Sequence, residues 1–94
     1  MTEQQRDGSS LEMMTEIRNY FYRMLGESDG DTNTCQDLSS VIDLLKGLYP
    51  DFKITKSAAQ MLCKKLVNAG ILTDLNQQGT YTLTEIEIEK FKKL

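Results

Sequence analysis

The chain has no histidine and no tryptophan, a single proline and two cysteines in 94 residues. Without histidine, the commonest general base near neutral pH and the commonest zinc ligand are both missing. Any nucleophile–base pair would have to come from lysines or carboxylates, so the expectation is a protein that is not an enzyme and needs no cofactor. Cys35 and Cys63 stand alone in the sequence. They form neither a C-x-x-C metal pair nor a secreted disulfide framework, and they read as two free thiols. No apolar run approaches the roughly 20 residues that a membrane-spanning helix needs. Residues 1–10 are polar and hold no apolar signal-peptide core. Together these absences lead to the expectation of an intracellular protein, cytoplasmic or nuclear.

What is present is ordinary in amount and uneven in placement. Hydrophobic residues make up 39% and charged residues 27%, which suits one small globular domain. The net charge is −3, yet residues 1–51 carry ten acids against four bases. Residues 52–73 reverse this, with Lys53, Lys56, Lys64 and Lys65 and no acid. The positive charge is concentrated in one short stretch of an otherwise acidic molecule. Asp29, Asp31 and Asn33 have the spacing that opens a calcium loop. The glycine at loop position six and the glutamate at position twelve are lacking, which argues against a calcium site.

Periodicity supplies the elements. Residues 1–8 read as a disordered leader and 9–94 as one domain. Ser9 and Glu12 form a capping box ahead of an apolar stripe through Ile17, Phe21 and Leu25, predicting a helix over 11–25. Thr34 and Asp37 give a second cap, and Leu38, Val41, Ile42 and Leu45 predict a helix over 35–46, closing near Gly47 before Pro50. Thr55 caps a third helix over 56–69, and Gly70 is placed to take the left-handed conformation that ends it, with Ile71 packing back on Leu66. Residues 71–75 and 80–84 have strand composition around a loop at 76–79 and predict an antiparallel hairpin. Thr84 and Glu87 cap a short last helix with Ile88 and Phe91 inward, and Glu85, Glu87 and Glu89 read as its solvated first turn. The expected core comprises Ile17, Phe21, Leu38, Ile42, Leu45, Leu62, Leu66, Ile71 and Leu83. Tyr22 is expected at the edge of that core.

The run Lys64-Lys65-Leu66-Val67-Asn68-Ala69-Gly70-Ile71-Leu72, followed by Thr80-Tyr81-Thr82-Leu83-Thr84, resembles the ending shared by many winged-helix domains. The resemblance covers roughly residues 10–84 and implies a mainly α fold with a small β-hairpin (α+β). That fold is a winged helix-turn-helix, with three helices, a two-stranded wing and a short C-terminal helix. It also implies a recognition role for helix 56–69. At 100° per residue, Ala58, Leu62, Leu66 and Ala69 form the expected inward stripe. Ser57, Gln60, Lys64 and Asn68 fall opposite, with Lys56 at the helix start. Such residues donate to phosphates and hydrogen-bond base edges.

Two functions follow as expectations. The first is a DNA-binding domain of a transcriptional or chromosome-associated regulator. Double-stranded DNA would be held by Lys53, Lys56, Ser57, Gln60, Lys64, Lys65 and Asn68. The alternative is a protein–protein interaction module in a larger assembly, with no nucleic-acid contact. The alternative draws on the link between helices two and three, about nine residues against the 3–4 of a simple helix-turn-helix. A long link resembles DEP domains and cullin-type C-terminal domains, which mostly contact proteins or membranes. A wing without Arg or Lys points the same way. Helix 11–25 also offers a homodimer contact through its aromatic residues.

Overall fold

The computed structural model describes residues 9–27, 35–75 and 79–93. The expected leader, the Asp29–Asn33 motif, Thr34 and most of the hairpin loop lie outside them. Among the described residues the protein is mainly helical, with one small antiparallel sheet. In chain order the elements are α1 (Ser10–Glu27), β1 (Gln36–Asp37), α2 (Leu38–Leu48), α3 (Lys56–Asn68), β2 (Leu72–Asp74), β3 (Thr80–Leu83) and α4 (Glu85–Lys92). No helix among the described residues is long and apolar enough to cross a membrane.

Capping side chains set most of the helix starts. The Ser9 hydroxyl accepts from Glu12 N–H at 3.1 Å, and the Thr55 hydroxyl accepts from Ala58 N–H at 3.1 Å. Each satisfies a donor that the first helical turn leaves without an intrahelical partner. The second helix corrects the expected boundary, because it starts at Leu38 and not at residue 35. Asp37 is its cap, and its Oδ1 accepts from both the N–H and the hydroxyl of Ser40 at 3.0 Å. These bonds from Ser40 hold the Asp37 carboxyl below its usual value. Gln36 and Asp37, expected in the helix, instead pair antiparallel with Tyr81 and Thr80. The Tyr20 hydroxyl donates to Gln36 Oε1 at 2.9 Å and so ties that strand to α1.

The expected two-stranded hairpin is therefore part of a three-stranded sheet of order β1-β3-β2. Leu72 pairs with Leu83 and Asp74 with Tyr81. At the other end of α2, Gly47 does not stop the helix, which continues to Leu48. Tyr49 N–H still donates to Leu45 C=O at 2.8 Å, and the break comes at Pro50.

The exit from α3 is as expected. Gly70 takes φ +81°, Ile71 N–H donates to Leu66 C=O at 3.0 Å and Gly70 N–H donates to Val67 C=O at 3.0 Å. These are the two bonds of a Schellman turn. Gly79, at φ +93°, returns the hairpin so close to α2 that an added Cβ would lie 3.3 Å from Leu38 Cβ. A side chain there would be both strained and crowded.

Ile17, Phe21, Leu38, Leu45, Leu62, Leu66 and Leu83 are buried as expected, while Ile42 and Ile71 are half-buried. The inward face of α3 differs from the expected one. Ala59, Leu62, Cys63 and Leu66 are buried, whereas Ala58 is half-buried and Ala69 exposed. The helix is rotated by roughly 50° from the expected stripe, at 100° per residue. On the side turned inward Ala59 and Cys63 are both inaccessible, the cysteine packing as a small hydrophobe.

Leu66 is essentially inaccessible, so Leu66→Ala should cost about 2–5 kcal/mol in denaturant unfolding. A second test uses the thiols. Burial, reinforced by the Asp74 charge, pushes Cys63 up to about 12, whereas Cys35 is exposed. In native protein at neutral pH an alkylating reagent should modify Cys35 alone, and Cys63 should react only after denaturation.

Candidate functional site

The outward face of α3 holds every expected helical site residue in an exposed position. Lys56, Ser57, Gln60, Lys64, Lys65 and Asn68 are all exposed, as is Lys53 in the preceding link. The helix is 13 residues long, or roughly 20 Å at 1.5 Å per residue. Ser57, Gln60, Lys64 and Asn68 recur along its length on the side away from Ala59, Leu62 and Leu66. None of the four lysines forms an ion pair among the described residues.

Two features of the surface were not among the expected site residues. Met61 is 57% exposed on the outward side of α3, and Phe52 is 45% exposed beside Lys53. The face is thus basic and apolar together. The same 100° spacing that places Ser57 and Lys64 outward also places Met61 there. The second feature is a cavity of about 290 Å³ between α3 and the sheet, lined by Gln60, Lys64, Val67, Asn68, Asp74 and Tyr81. Its sheet side needs the β2–β3 register to be recognised, which places Asp74 opposite Tyr81. Burial raises the Tyr81 phenol above its usual value, with Cys63 and then Asp74 adding to the effect.

Away from this face lies a polar cluster between α1 and α4. Glu87, expected among the solvated glutamates of the last helix, is only 4% exposed, while Glu85 and Glu89 are exposed as expected. Its N–H donates to the Thr84 hydroxyl at 3.4 Å, which caps α4 as expected. Its carboxylate, however, accepts from the Tyr22 hydroxyl and from Lys90 Nζ, the latter at 3.1 Å. The Arg18 guanidinium lies 5.5 Å from the centre of the Tyr22 ring. Burial pushes the Glu87 carboxyl up, but the bonds from Tyr22 and Lys90 and the charges of Lys90 and Arg18 outweigh it, leaving the carboxyl below its usual value. Burial, together with the Glu87 hydrogen bond and charge, pushes Tyr22 up to about 12 against an opposing effect of Arg18. Such an arrangement favours a charged Glu87 carboxylate accepting from a neutral Tyr22 phenol. It is a structural tie.

No group of three or more potential metal ligands occurs among the described residues. No family model matches the chain, and neither a curated protein nor a solved structure matches it.

The Glu87 tie has a testable pH signature. Because folding lowers its pKa, its contribution is present above the usual value of 4.5 and is lost as pH falls through the lower folded value. Glu87→Gln should therefore reduce stability at neutral pH by about 1–3 kcal/mol. The gap in melting temperature between wild type and variant should close in acid, where both side chains are neutral.

Proposed function

We propose that the chain is a winged-helix protein-interaction module that engages an acidic partner through the outward face of α3. The winged-helix assignment is supported by the order of the three helices and by a hairpin that leaves α3 through a Schellman turn. The observation that carries the functional reading is the exposure of Met61 among Ser57, Lys64, Lys65 and Asn68. A thioether gains nothing from a phosphate backbone, whereas methionine and aromatic residues are enriched in protein interfaces. Phe52, in the link before α3, is a second exposed apolar residue, beside Lys53 in sequence. Asp74 stands beside Lys64 and Asn68 in the adjoining cavity, where a carboxylate would oppose a phosphodiester. The hairpin segment 71–84 contains no Lys or Arg. The partner is defined by complementarity as an acidic surface with an apolar centre, matching Lys64 and Lys65 on either side of Met61.

DNA binding is the second reading. It is favoured by the four lysines, which have no carboxylate partner among the described residues, and by an outward helix face long enough to enter a major groove.

The two readings separate cleanly. A random duplex titrated at low and moderate salt should show no binding on the first reading. On the second, affinity falls with salt at a slope of roughly −0.9 per phosphate neutralised. On the first reading, an acidic protein retained by wild-type bait is lost with both Lys64→Glu and Met61→Asp, at unchanged melting temperatures. Salt-dependent duplex binding abolished by Lys64→Glu would overturn the protein reading. Loss of sequence preference with Gln60→Ala would then identify Gln60 as a base-reading residue.

A further inference from the structure

Two exposed surfaces of the chain are opposite in charge and alike in carrying an apolar residue. On α3, Met61 is 57% exposed, and Lys64 and Lys65, three and four residues on, lie on either side of it. On α4, Ile86 is 68% exposed, with Glu85 before it and Glu89 three residues on. Both glutamates are exposed, and neither forms an ion pair among the described residues. Lys90, on the other side of Ile86, is held by Glu87 at 3.1 Å. The two surfaces also differ in shape. Met61 and its lysines stand on the convex side of a helix, whereas Glu85, Ile86 and Glu89 border a groove of about 630 Å³ between α4 and the sheet. Thr73 lies on the sheet side of that groove, and Lys92 marks the C-terminal end of its helix side.

We propose that a second copy of this chain is a partner of the α3 face, its α4 groove receiving Met61 and the two lysines. The inference rests on the protein-interaction reading of α3 and supplies that reading with an acidic partner. Glu85 and Glu89 are four residues apart on one helix, a spacing at which like charges repel. Lysines brought against them relieve the repulsion and set the orientation of the contact. Met61 against Ile86 removes two exposed apolar side chains from water in the same step. A helix that enters a groove presents its anchors at spacings of three and four, the spacing of Lys64 and Lys65 from Met61. The two surfaces share no residue, so a pair formed through one such contact leaves one α3 face and one groove open. Association is therefore heterologous, and further copies add head to tail as concentration rises. One helix face against one groove is a small contact, which belongs to the weak and reversible class.

The experiment is sedimentation velocity of the full chain at rising concentration in low salt. The wild type should form species larger than a monomer, and about 1 M salt, where the screening length is roughly 3 Å, should weaken them. The double variants Lys64→Glu/Lys65→Glu and Glu85→Lys/Glu89→Lys should each lower the association constant about tenfold or more. A chain carrying all four substitutions exchanges the charges of the two surfaces and should recover association. Ile86→Asp should weaken association at an unchanged melting temperature, and it tests the groove even if α4 tolerates the added lysines poorly. The proposal is overturned if the wild type stays monomeric up to about 1 mM, or if a folded variant of either surface associates as the wild type does. It is also overturned if the folded four-substitution chain stays monomeric. A monomeric wild type that still retains an acidic protein through Lys64 and Met61 overturns this inference alone. Salt-dependent duplex binding abolished by Lys64→Glu overturns the α3 reading with it.

Discussion

The left-handed turn at Gly70 determines how the helical and β parts of the protein meet. It reverses the chain within one residue, and Ile71 N–H returns to Leu66 C=O at 3.0 Å. The Thr84 hydroxyl then donates to Gly70 C=O at 2.7 Å, and Thr84 N–H donates to Ile71 C=O at 3.0 Å. The two ends of the hairpin are thereby pinned to the same turn, and the sheet cannot swing away from α3. The cavity with Lys64 on one wall and Asp74 on the other is a direct product of this junction. A residue with a Cβ at position 70 would meet no steric neighbour. The constraint is the φ of +81° itself, which costs a non-glycine residue energy wherever it occurs.

Much of this architecture was legible because caps and glycines are local signals. Ser9, Thr55 and Thr84 act at the helix starts that their residue types suggest, and Gly70 ends α3. Features that depend on distant partners were not legible. Gln36 and Asp37 lack strand composition and become a strand only because β3 lies beside them. Nothing in the alternation of Glu85, Glu87 and Glu89 marks the middle one for burial, since its Tyr22 partner belongs to the first helix. The face of α3 was misjudged by roughly half a residue step because alanine and cysteine carry weak hydrophobic periodicity. Its polar side was still correctly placed, because the lysines, Ser57, Gln60 and Asn68 tolerate that rotation and remain exposed.

The surface that results is chemically mixed. Lys64 and Lys65, three and four residues on from the exposed Met61, flank its thioether on α3, and Lys64 also lines a cavity holding one carboxylate. The rest of the chain is acidic, and this contrast gives the molecule a strong charge asymmetry. Long-range attraction would orient an acidic partner toward α3 before any contact forms, an effect that salt weakens. The apolar groups act only at contact, once water is displaced from Met61 and Phe52.

The Tyr22–Glu87 bond joins residues 65 positions apart and unites the first helix with the last. A contact of that span forms only after the intervening chain has been brought to order, because closing so large a loop is entropically costly and local helices are not. Docking of α4 is accordingly a late event in folding. The same helix has eight residues and brings Ile88 and Phe91 to the core while leaving Ile86 exposed.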